Sequence, residues 1–393
     1  MRGSACMPRP RVLHVIESLR PYGAEHGVLN LCVALADRYD AHVVSVYGGA
    51  LVGRFIARGI PVHTLADESA TGHRRLAIAA HFWRAIRRVR PDLVHTHLGY
   101  ANTLGRLVAH MHGIPTVAHI RGRDGQWGTW PHRLAYRLAA HGRTVVLAVS
   151  RGMAEDFLRA TGMTAEVVYN AVDDSEFASR RPRDADLRKD LGLSRGTPLV
   201  GTVARFSHQK NYPLFLRAAS LVCARRPAVR FLAVGGGPLF ARAATLRDKL
   251  GLRGRVHLLG ERQDVPTLLP QLTVFLLTSR WEGLPRAVLE ASHSGLPIVA
   301  TDVMGTNEAV LDGITGFLVP PDDARGIACR VLELLADAGL RREMGGRGRE
   351  FVRSEFGLGR LAEQLDAVYR ALLEGGPDRR GVAGDPDGSR AKR

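Results

Sequence analysis

The sequence is poor in cysteine and has no long apolar run. Four cysteines are scattered over 393 residues without a C-x-x-C pair, which excludes a disulfide framework and a zinc knuckle as the organising element. They are Cys6, Cys32, Cys223 and Cys329. No apolar run approaches the ~20 residues of a transmembrane helix, and the first residues lack the apolar core of a secretory signal. We therefore expect a cytoplasmic chain that starts at Met1 or Met7.

Lysine is also scarce, although the chain is strongly basic. Arginine and lysine number 55 against 38 acidic residues, a net charge of +17, yet only four are lysine. The four are Lys189, Lys210, Lys249 and Lys392. The arginines are spread evenly, without a helix-turn-helix pattern or aromatic residues on strands, so the charge does not indicate nucleic acid as a partner. The surplus suits attraction to an anionic membrane surface, such as the inner face of the plasma membrane.

Short apolar strands alternate with helical stretches along most of the chain. This rhythm predicts an α/β fold of two doubly wound, parallel-sheet (Rossmann-like) domains in tandem. The predicted strands are Val12–Ser18, Val43–Val46, Val62–Leu65, Leu93–Thr96, Thr116–His119, Val145–Val149, Val167–Tyr169, Leu199–Ala204, Phe231–Val234, Val256–Leu259, Val274–Thr278 and Ile298–Thr301. The clearest predicted helices are Ala24–Asp37, Arg75–Arg88, Asn102–His112 and Pro131–His141.

The domain boundaries follow from where this rhythm stops. Residues 1–172 form the predicted N-terminal domain, the polar stretch 173–197 the linker and residues 198–357 the second domain. The periodic segment 358–374 is predicted to be a helix that returns to the first domain. Residues 375–393 are almost without apolar side chains and are expected to be disordered.

Two glutamates with seven residues between them follow the strand Val274–Thr278. Glu282 lies in the loop after that strand, and Glu290 lies about one and a half turns into a helix that Pro285 starts. Open α/β sheets bind ligands beyond the carboxyl ends of their strands, so both carboxylates are expected in that crevice. Acceptors for hydroxyl groups beside a helix N-terminus suit a sugar next to a phosphate. The alternative is a surface helix with two ordinary glutamates.

Two cations occupy the equivalent loop after the strand Leu199–Ala204. Arg205 directly follows that strand, and Lys210 precedes a helix with Pro213 in its first turn. Cations fixed near a helix N-terminus can bind a diphosphate and stabilise the charge that it gains on leaving. Both could be ordinary surface charges, but the position of one of only four lysines in this loop favours phosphate binding.

These segments resemble the retaining, nucleotide-sugar-dependent glycosyltransferases of family four, which have the GT-B fold. The run SRWEGLPRAVLEASHSGLPIVAT matches their E-x7-E signature, and Arg205 with Lys210 matches their R-x4-K pair. The resemblance implies that Glu290 binds the ribose hydroxyls, Glu282 contacts the transferred sugar, and the two cations hold the diphosphate.

The resemblance also implies backbone contacts to the diphosphate from the loop after the first glutamate. Family members often have E-G-F-G there, whereas this chain has Pro285, which lacks an N–H. Leu284 and Arg286 remain as donors. Arg262 is expected near the base, and Glu308 near the donor sugar. Gly316–Pro320 matches a family turn and is predicted to be structural.

Similar matches in the first domain concern its loops and histidines. Tyr22 and Gly23 occupy the place of the family's G-G-A-E turn, so Gly23 allows close backbone approach and Tyr22 can contact the acceptor. His119 ends a strand where the family commonly has a histidine near the sugar, although a core histidine is the alternative.

His95 and His97 share one face of another strand. No carboxylate or cysteine accompanies them in sequence, so a metal is not expected and an acceptor-side or core role is favoured.

The resemblance implies transfer of a sugar, with retention, from a nucleotide sugar to a glycan or lipid-linked acceptor. UDP is favoured over GDP because the EGLP run resembles polysaccharide-assembly members. No metal cofactor is expected, because side chains and helix ends neutralise the diphosphate. Alternatives are other GT-B chemistry, such as a nucleotide-sugar epimerase, transfer to a soluble small acceptor, or a noncatalytic basic interaction protein on the same scaffold.

The segment Thr71–Arg90 is the strongest candidate for a membrane-facing helix. Helical spacing puts Leu76, Ala80, Trp83 and Arg87 on one face, with further arginines around it. The alternative is an ordinary helix that packs on the sheet through Leu76, Ile78, Phe82 and Ile86.

Overall fold

The computed structural model describes residues 8–66, 75–99, 101–122, 136, 143–178 and 186–375. The chain divides into two compact units: unit 1 is Met1–Val168 with Glu363–Arg393, and unit 2 is Tyr169–Ala362. Within the described ranges, no helix combines the length and apolar character needed to cross a membrane.

Unit 1 is built on a seven-stranded parallel sheet with the strand order β3-β2-β1-β4-β5-β6-β7. The strands are β1 Arg11–Ile16, β2 Asp40–Tyr47, β3 Val62–Ala66, β4 Leu93–His97, β5 Thr116–Ile120, β6 Thr144–Ala148 and β7 Glu166–Val167. The central strands β4 and β5 are buried along their whole length. Burial on both faces is typical of central parallel strands, and here it places polar side chains, among them His95, His97 and His119, inside unit 1.

Helices cover both faces of this sheet. They are α1 Gly23–Ala34, α2 Val52–Ile56, α3 Arg75–Val89, α4 Arg106–Met111 and α5 Arg151–Thr161. A π-helical turn at Ala101–Gly105 directly precedes α4. Alternate side chains of β1 and β2 point to opposite faces. One set packs against α3 and α4, and the other packs against α1 and α2.

Unit 2 contains a six-stranded parallel sheet in the order β10-β9-β8-β11-β12-β13. The strands are β8 Leu199–Val203, β9 Arg230–Val234, β10 Val256–Gly260, β11 Val274–Leu277, β12 Ile298–Thr301 and β13 Gly316–Val319. The helices are α6 Asp174–Ala178, α7 Leu187–Asp190, α8 Tyr212–Arg225, α9 Phe240–Lys249, α10 Val265–Leu268, α11 Arg286–His293, α12 Thr306–Ala309, α13 Ala324–Ala336 and α14 Ala338–Glu355.

The last helix, α15, runs from Leu358 to Leu373 and ends in unit 1. Asp366 accepts hydrogen bonds there from the hydroxyl of Tyr39 at 2.8 Å and from Arg38 at 2.9 Å. Tyr369 is fully buried. The helix from Glu363 onward is therefore part of unit 1.

The predicted fold class is confirmed, whereas the predicted turn at Gly316–Pro320 is wrong. Gly316–Val319 is an edge strand, β13, that pairs in parallel with β12. A Cβ atom at Gly316 would lie 2.4 Å from the carbonyl oxygen of Ile298, so glycine allows this close pairing. The predicted helix Pro131–His141 lies outside the described residues except at Tyr136, and the predicted disordered tail lies outside them from residue 376.

Candidate active site

Three loops of unit 2 follow the neighbouring strands β8, β11 and β12. Because the strands are parallel, the three loops emerge at the same edge of the sheet. Two of them touch closely: Gly305 has φ +77°, and a Cβ atom there would lie 2.1 Å from the carbonyl oxygen of Gly283. The backbone N–H of Glu282 donates to the carbonyl of Met304 at 3.2 Å. The position of the loop that carries Glu282 is therefore fixed by its neighbour.

Lys210 and Glu282 lie together in this cluster of loops. The Lys210 ammonium is 2.5 Å from Oε1 of Glu282, which also accepts from the hydroxyl of Ser279 at 2.5 Å. Oε2 accepts from the side-chain amide of Gln209 at 3.3 Å. Glu282 is buried and has three donors on its two oxygens. The arrangement holds a carboxylate next to a cation that keeps further N–H groups available.

The loop after Glu282 presents unpaired backbone N–H groups. Helix α11 starts at Arg286, so Pro285 is its N-cap residue rather than its first helical residue. Within the described part of the chain, the N–H groups of Gly283, Leu284, Arg286 and Ala287 donate no hydrogen bond. The missing N–H of Pro285 therefore removes one donor from an otherwise continuous row. Such a row at a helix N-terminus favours an anion.

Glu290, one turn into α11, is held by Arg286. The Nε of Arg286 donates to Oε1 of Glu290, and its Nη2 lies 2.9 Å from Oε2 of Glu176. Glu290 and Glu282 thus belong to two separate polar clusters of unit 2, one around Arg286 and one around Lys210.

The remaining predicted donor-side residues lie on other loops of unit 2. Arg262 makes a two-pronged ion pair with Asp264, at 2.8 and 2.7 Å. Glu308 accepts a hydrogen bond from the hydroxyl of Tyr169 at 2.9 Å. Arg205 is exposed on the loop after β8. The structure therefore brings Lys210 to Glu282, but it gives Arg262 and Glu308 partners of their own.

The predicted loop of unit 1 lies at the start of α1. Tyr22 is the N-cap residue and Gly23 is the first, exposed helical residue. Two residues further on, Glu25 is buried and accepts a hydrogen bond from Ser18 at 2.9 Å. Burial raises the pKa of Glu25 to about 7, so this carboxyl titrates near neutrality. Sequence reasoning placed no weight on Glu25.

His97 and His119 lie inside unit 1 in a cluster of four histidines. His97 contacts His14 at 3.2 Å, and His119 contacts His95 at 3.3 Å. All four rings are fully buried. Burial, strengthened by neighbouring positive groups, lowers the pKa of each ring, and that of His14 falls to about 3. The four imidazoles are therefore neutral at physiological pH.

Arg121 determines where the protons of these neutral rings lie. It can only donate, and it donates to Nδ1 of His97 at 3.2 Å and meets Nδ1 of His119 at 3.3 Å. Both rings therefore carry their proton on Nε2. His97 then donates to Nδ1 of His14. His95 donates from Nε2 to His119, and its Nδ1 accepts from the hydroxyl of Tyr369 at 2.5 Å.

The same assignment argues against a metal ion in this cluster. His14, His95 and His97 are close enough to share an ion, since their ligand atoms lie within 4.8 Å of one another. However, each Nδ1 lone pair already accepts a hydrogen bond, and the Arg121 cation lies beside the rings. A metal-bound histidine normally donates its other N–H to an acceptor, and here the neighbour is a donor. In this hydrogen-bond arrangement the Nδ1 atoms of the three rings are therefore already engaged.

Sequence reasoning missed several partners of the predicted residues. Ser279 and Gln209 bind Glu282, Glu176 binds Arg286, and Arg121 with His14 completes the histidine cluster. The contact of Ser279 could have been predicted from the sequence, because Ser279 precedes Glu282 by three residues on the same loop. The other partners come from distant segments, and no local pattern marks them.

Comparison with known proteins identifies the family and the fold of this chain. A sequence model described as "Glycosyl transferases group 1" matches residues 184–351, and one described as "Glycosyltransferase Family 4" matches residues 21–176. The fold is similar to that of Anabaena Alr3699/HepE, crystallised with UDP and glucose. Its TM-score is 0.80 at 23% sequence identity, over 92% of this chain and 99% of that one.

Two curated relatives are enzymes that transfer sugars. The chain is 30% identical over 312 residues to an alpha-D-kanosaminyltransferase of Streptomyces kanamyceticus, which covers 74% of this chain and 80% of the relative. It is also 30% identical over 253 residues to the UDP-Gal:alpha-D-GlcNAc-diphosphoundecaprenol alpha-1,3-galactosyltransferase of Escherichia coli, covering 61% of this chain and 65% of that one. The predicted family and enzyme class are thereby confirmed: this chain belongs to the family-four glycosyltransferases and has their two-domain GT-B architecture.

Proposed function

We propose that this glycosyltransferase moves a sugar from a nucleotide-diphosphate sugar to a glycan or lipid-linked acceptor in cell-surface polysaccharide or glycolipid biosynthesis. The contact between Lys210 and Glu282 carries the proposal. In a nucleotide sugar, the terminal phosphate is bonded directly to the sugar. A ligand of that kind meets a cation and a hydroxyl-accepting carboxylate only if the two lie side by side, as they do here.

The other donor-side residues have proposed roles around this pair. Arg205 and the free N–H groups of Leu284 and Arg286 hold the diphosphate, and Glu290 binds the ribose hydroxyls. Arg262 borders the base and Glu308 borders the sugar.

In unit 1 we propose that Gly23, Tyr22 and His119 serve the sugar and the acceptor. His97 and His119 would act through their neighbours, because both rings are buried.

The hydrogen bonds of Glu282 support a binding role rather than a nucleophilic one. A retaining glycosidase uses a carboxylate nucleophile, but both oxygens of Glu282 already accept hydrogen bonds from three side chains. We propose retention through same-face displacement, in which the departing diphosphate is stabilised by Lys210 and Arg205. Two cations and a helix N-terminus supply the counter-charge, so the proposed reaction needs no metal.

The names of the relatives support the choice of substrates. The Escherichia coli relative is named for a UDP-Gal donor and a diphosphoundecaprenol-linked acceptor. The crystal structures of Anabaena Alr3699/HepE include complexes with UDP and with UDP-glucose. We propose a UDP-sugar rather than a GDP-sugar as donor, and a lipid-linked glycan rather than a soluble small molecule as acceptor.

A thermal-shift screen tests the donor proposal. UDP, GDP, ADP and their sugars are compared, each with EDTA and with Mg²⁺. A ligand at 100 times its Kd adds about 2.7 kcal/mol to the free energy of unfolding. We expect UDP and UDP-sugars to stabilise the protein most, with EDTA present. Stabilisation by GDP alone would overturn the choice of base, and stabilisation by none of them would overturn nucleotide-sugar use.

The two glutamates are expected to affect different steps. Glu290→Ala should weaken binding of the bare nucleotide, because its proposed partner is the ribose. Glu282→Ala should abolish most turnover, yet bind the bare nucleotide at least as tightly as wild type, because Lys210 loses its anionic partner. Calorimetric titration with UDP measures the effect on nucleotide binding, and steady-state kinetics measure the effect on turnover. Equal losses of UDP affinity in both variants would contradict this division of roles.

Helix α3 of unit 1 offers a surface for an anionic membrane. It packs on the sheet through Ile78, Phe82 and Ile86, as the conventional alternative predicted, but Leu76 is 83% exposed rather than packed. Its exposed arginines are Arg75, Arg84, Arg87 and Arg88. The neighbouring helix α4 exposes Met111. We propose that this basic face with exposed apolar side chains rests on the inner, anionic leaflet, where a lipid-linked acceptor would lie.

Reversing two charges on α3 tests the membrane proposal. Arg87→Glu with Arg88→Glu should reduce retention on vesicles that contain anionic lipid, with UDP binding unchanged. The matched control is Arg225→Glu with Arg226→Glu, an exposed pair in unit 2 that makes the same change in net charge. Equal retention of both double variants would remove α3 as the anchor, and no retention of wild type at low salt would remove the membrane.

A further inference from the structure

The short helix α6 (Asp174–Ala178) packs against α11, the helix that carries Glu290. Glu176 makes the ion pair with Arg286 at 2.9 Å, and the ring of Phe177 lies 4.9 Å from that of His293. Helix α6 comes shortly after Tyr169, where unit 2 begins. A segment predicted to be linker therefore supplies a side chain to the cluster around Glu290.

Arg286 bridges two carboxylates in this cluster. Its Nη2 is bound to Glu176 and its Nε to Glu290, and the three side chains are only 8–12% exposed. Its third nitrogen, Nη1, is buried without a hydrogen-bond partner in the described part of the chain. Because the guanidinium is a rigid planar fork, the partner at one end fixes what the other end can reach.

Arg286 engages only one of the two oxygens of Glu290 while it is bound to Glu176. Only Oε1 of Glu290 is taken up by Arg286, and Oε2 makes no hydrogen bond within the described residues. An arginine alone with one carboxylate prefers to bind both of its oxygens. Without Glu176, the fork of Arg286 could close on both oxygens of Glu290 and take up a lone-pair site on each, so that neither oxygen is left entirely to a ligand.

We propose that Glu176 is a positioning residue for the nucleotide: it holds Arg286 to one side, so that Glu290 keeps one oxygen for the ribose hydroxyls. This inference rests on the proposed function and adds a residue to it. Glu176 acts through Arg286 and Glu290 and touches no substrate itself. Its effect should therefore depend on the ribose hydroxyls of the ligand.

The test is a cycle of protein and ligand changes. Binding of UDP and of its 2′,3′-dideoxy analogue is measured by calorimetry for wild type, Glu176→Gln and Glu290→Gln. We expect Glu176→Gln to weaken UDP binding on the order of tenfold, the loss of about one hydrogen bond to a charged acceptor. Binding of the dideoxy analogue should be unchanged by either substitution. Turnover at saturating donor should stay near wild type for Glu176→Gln.

Two further variants make the result decisive. Asp174→Asn on the same helix is the control: Asp174 lies 3.4 Å from His293 on the exposed side of α6, outside the Glu176–Arg286–Glu290 cluster, so UDP affinity should not change. Arg286→Lys keeps the charge but has no fork that could close on both oxygens of Glu290, so adding Glu176→Gln to this variant should weaken UDP binding no further. The inference is overturned if Glu176→Gln and Glu290→Gln weaken the binding of UDP and of its dideoxy analogue equally. It is also overturned if Glu176→Gln binds UDP like wild type. If wild type binds no nucleoside diphosphate, the proposed function fails first.

Discussion

Replacing Lys210 with alanine is expected to lower kcat at saturating donor by a factor on the order of 10², about 3 kcal/mol in the barrier. Charge accumulates on the diphosphate only as the bond to the sugar breaks, so a cation beside it stabilises the transition state more than the bound donor. The nucleotide-sugar Kd should change much less than kcat. Glu282 keeps Ser279 and Gln209 as donors in this variant, so the loop should stay in place.

Lys249→Ala is the matched control for Lys210→Ala. Lys249 is an exposed lysine at the end of α9 in the same unit, and its removal changes the net charge equally. It should leave kcat unchanged. Arg205→Ala should resemble Lys210→Ala, since both cations are assigned to the diphosphate. The assignment fails if Lys210→Ala retains wild-type turnover at saturating donor, or if its whole defect lies in KM.

The sequence predicted those parts of the site that depend on topology. Lys210 and Glu282 lie on loops that follow strands, and parallel strands bring such loops to one edge. Their contact required only that β8 and β11 be neighbours, as the doubly wound order makes them. The strand and helix rhythm predicted both sheets, because buried parallel strands are short apolar runs.

The parts that sequence reasoning missed depend on side chains from distant segments. Glu176 reaches Arg286 across 110 residues, and no periodicity in the linker indicates this. The histidine cluster needs β1, β4 and β5 side by side, with Arg121 after β5 and Tyr369 from the last helix. The edge strand at Gly316 escaped notice because four residues that begin with glycine look like a turn.

Lowering the pH from 7.5 to 5.5 is expected to destabilise unit 1 strongly. Burial lowers the pKa of His14 from 6.5 to about 3 and the pKa values of His95, His97 and His119 well below 6.5. Below pH 6.5 the unfolded chain binds protons that the folded unit cannot accept. Stability is therefore present above pH 6.5 and is lost as the pH falls.

The size of this effect follows from the number of buried rings. Each neutral ring contributes up to about 1.4 kcal/mol per pH unit below 6.5, so the four together approach 5 kcal/mol per unit. Glu25 has the opposite effect, because its pKa is raised from 4.5 to about 7 in the folded protein. Its contribution to the free energy of unfolding is therefore present at low pH and is lost as the pH rises through 7. One carboxyl against four imidazoles leaves the histidines dominant. At pH 5.5 the loss from the four rings is about 5 kcal/mol, comparable to the lower end of the 5–15 kcal/mol of a typical domain, so a large drop in stability is expected.

Calorimetric unfolding at pH 7.5, 6.5 and 5.5 measures this slope. His14→Gln should reduce the pH dependence of unit 1 by roughly a quarter, because one of the four buried rings no longer resists protonation. The exposed His110→Gln, on α4 of the same unit, should leave the slope unchanged. The Arg121 cation helps to lower the pKa values of His97 and His119. Arg121→Gln should therefore make the free energy of unfolding fall less steeply between pH 6.5 and pH 5.5. A flat profile between pH 7.5 and 5.5, or equal slopes for the two histidine variants, would show that the buried cluster does not govern the acid stability of unit 1.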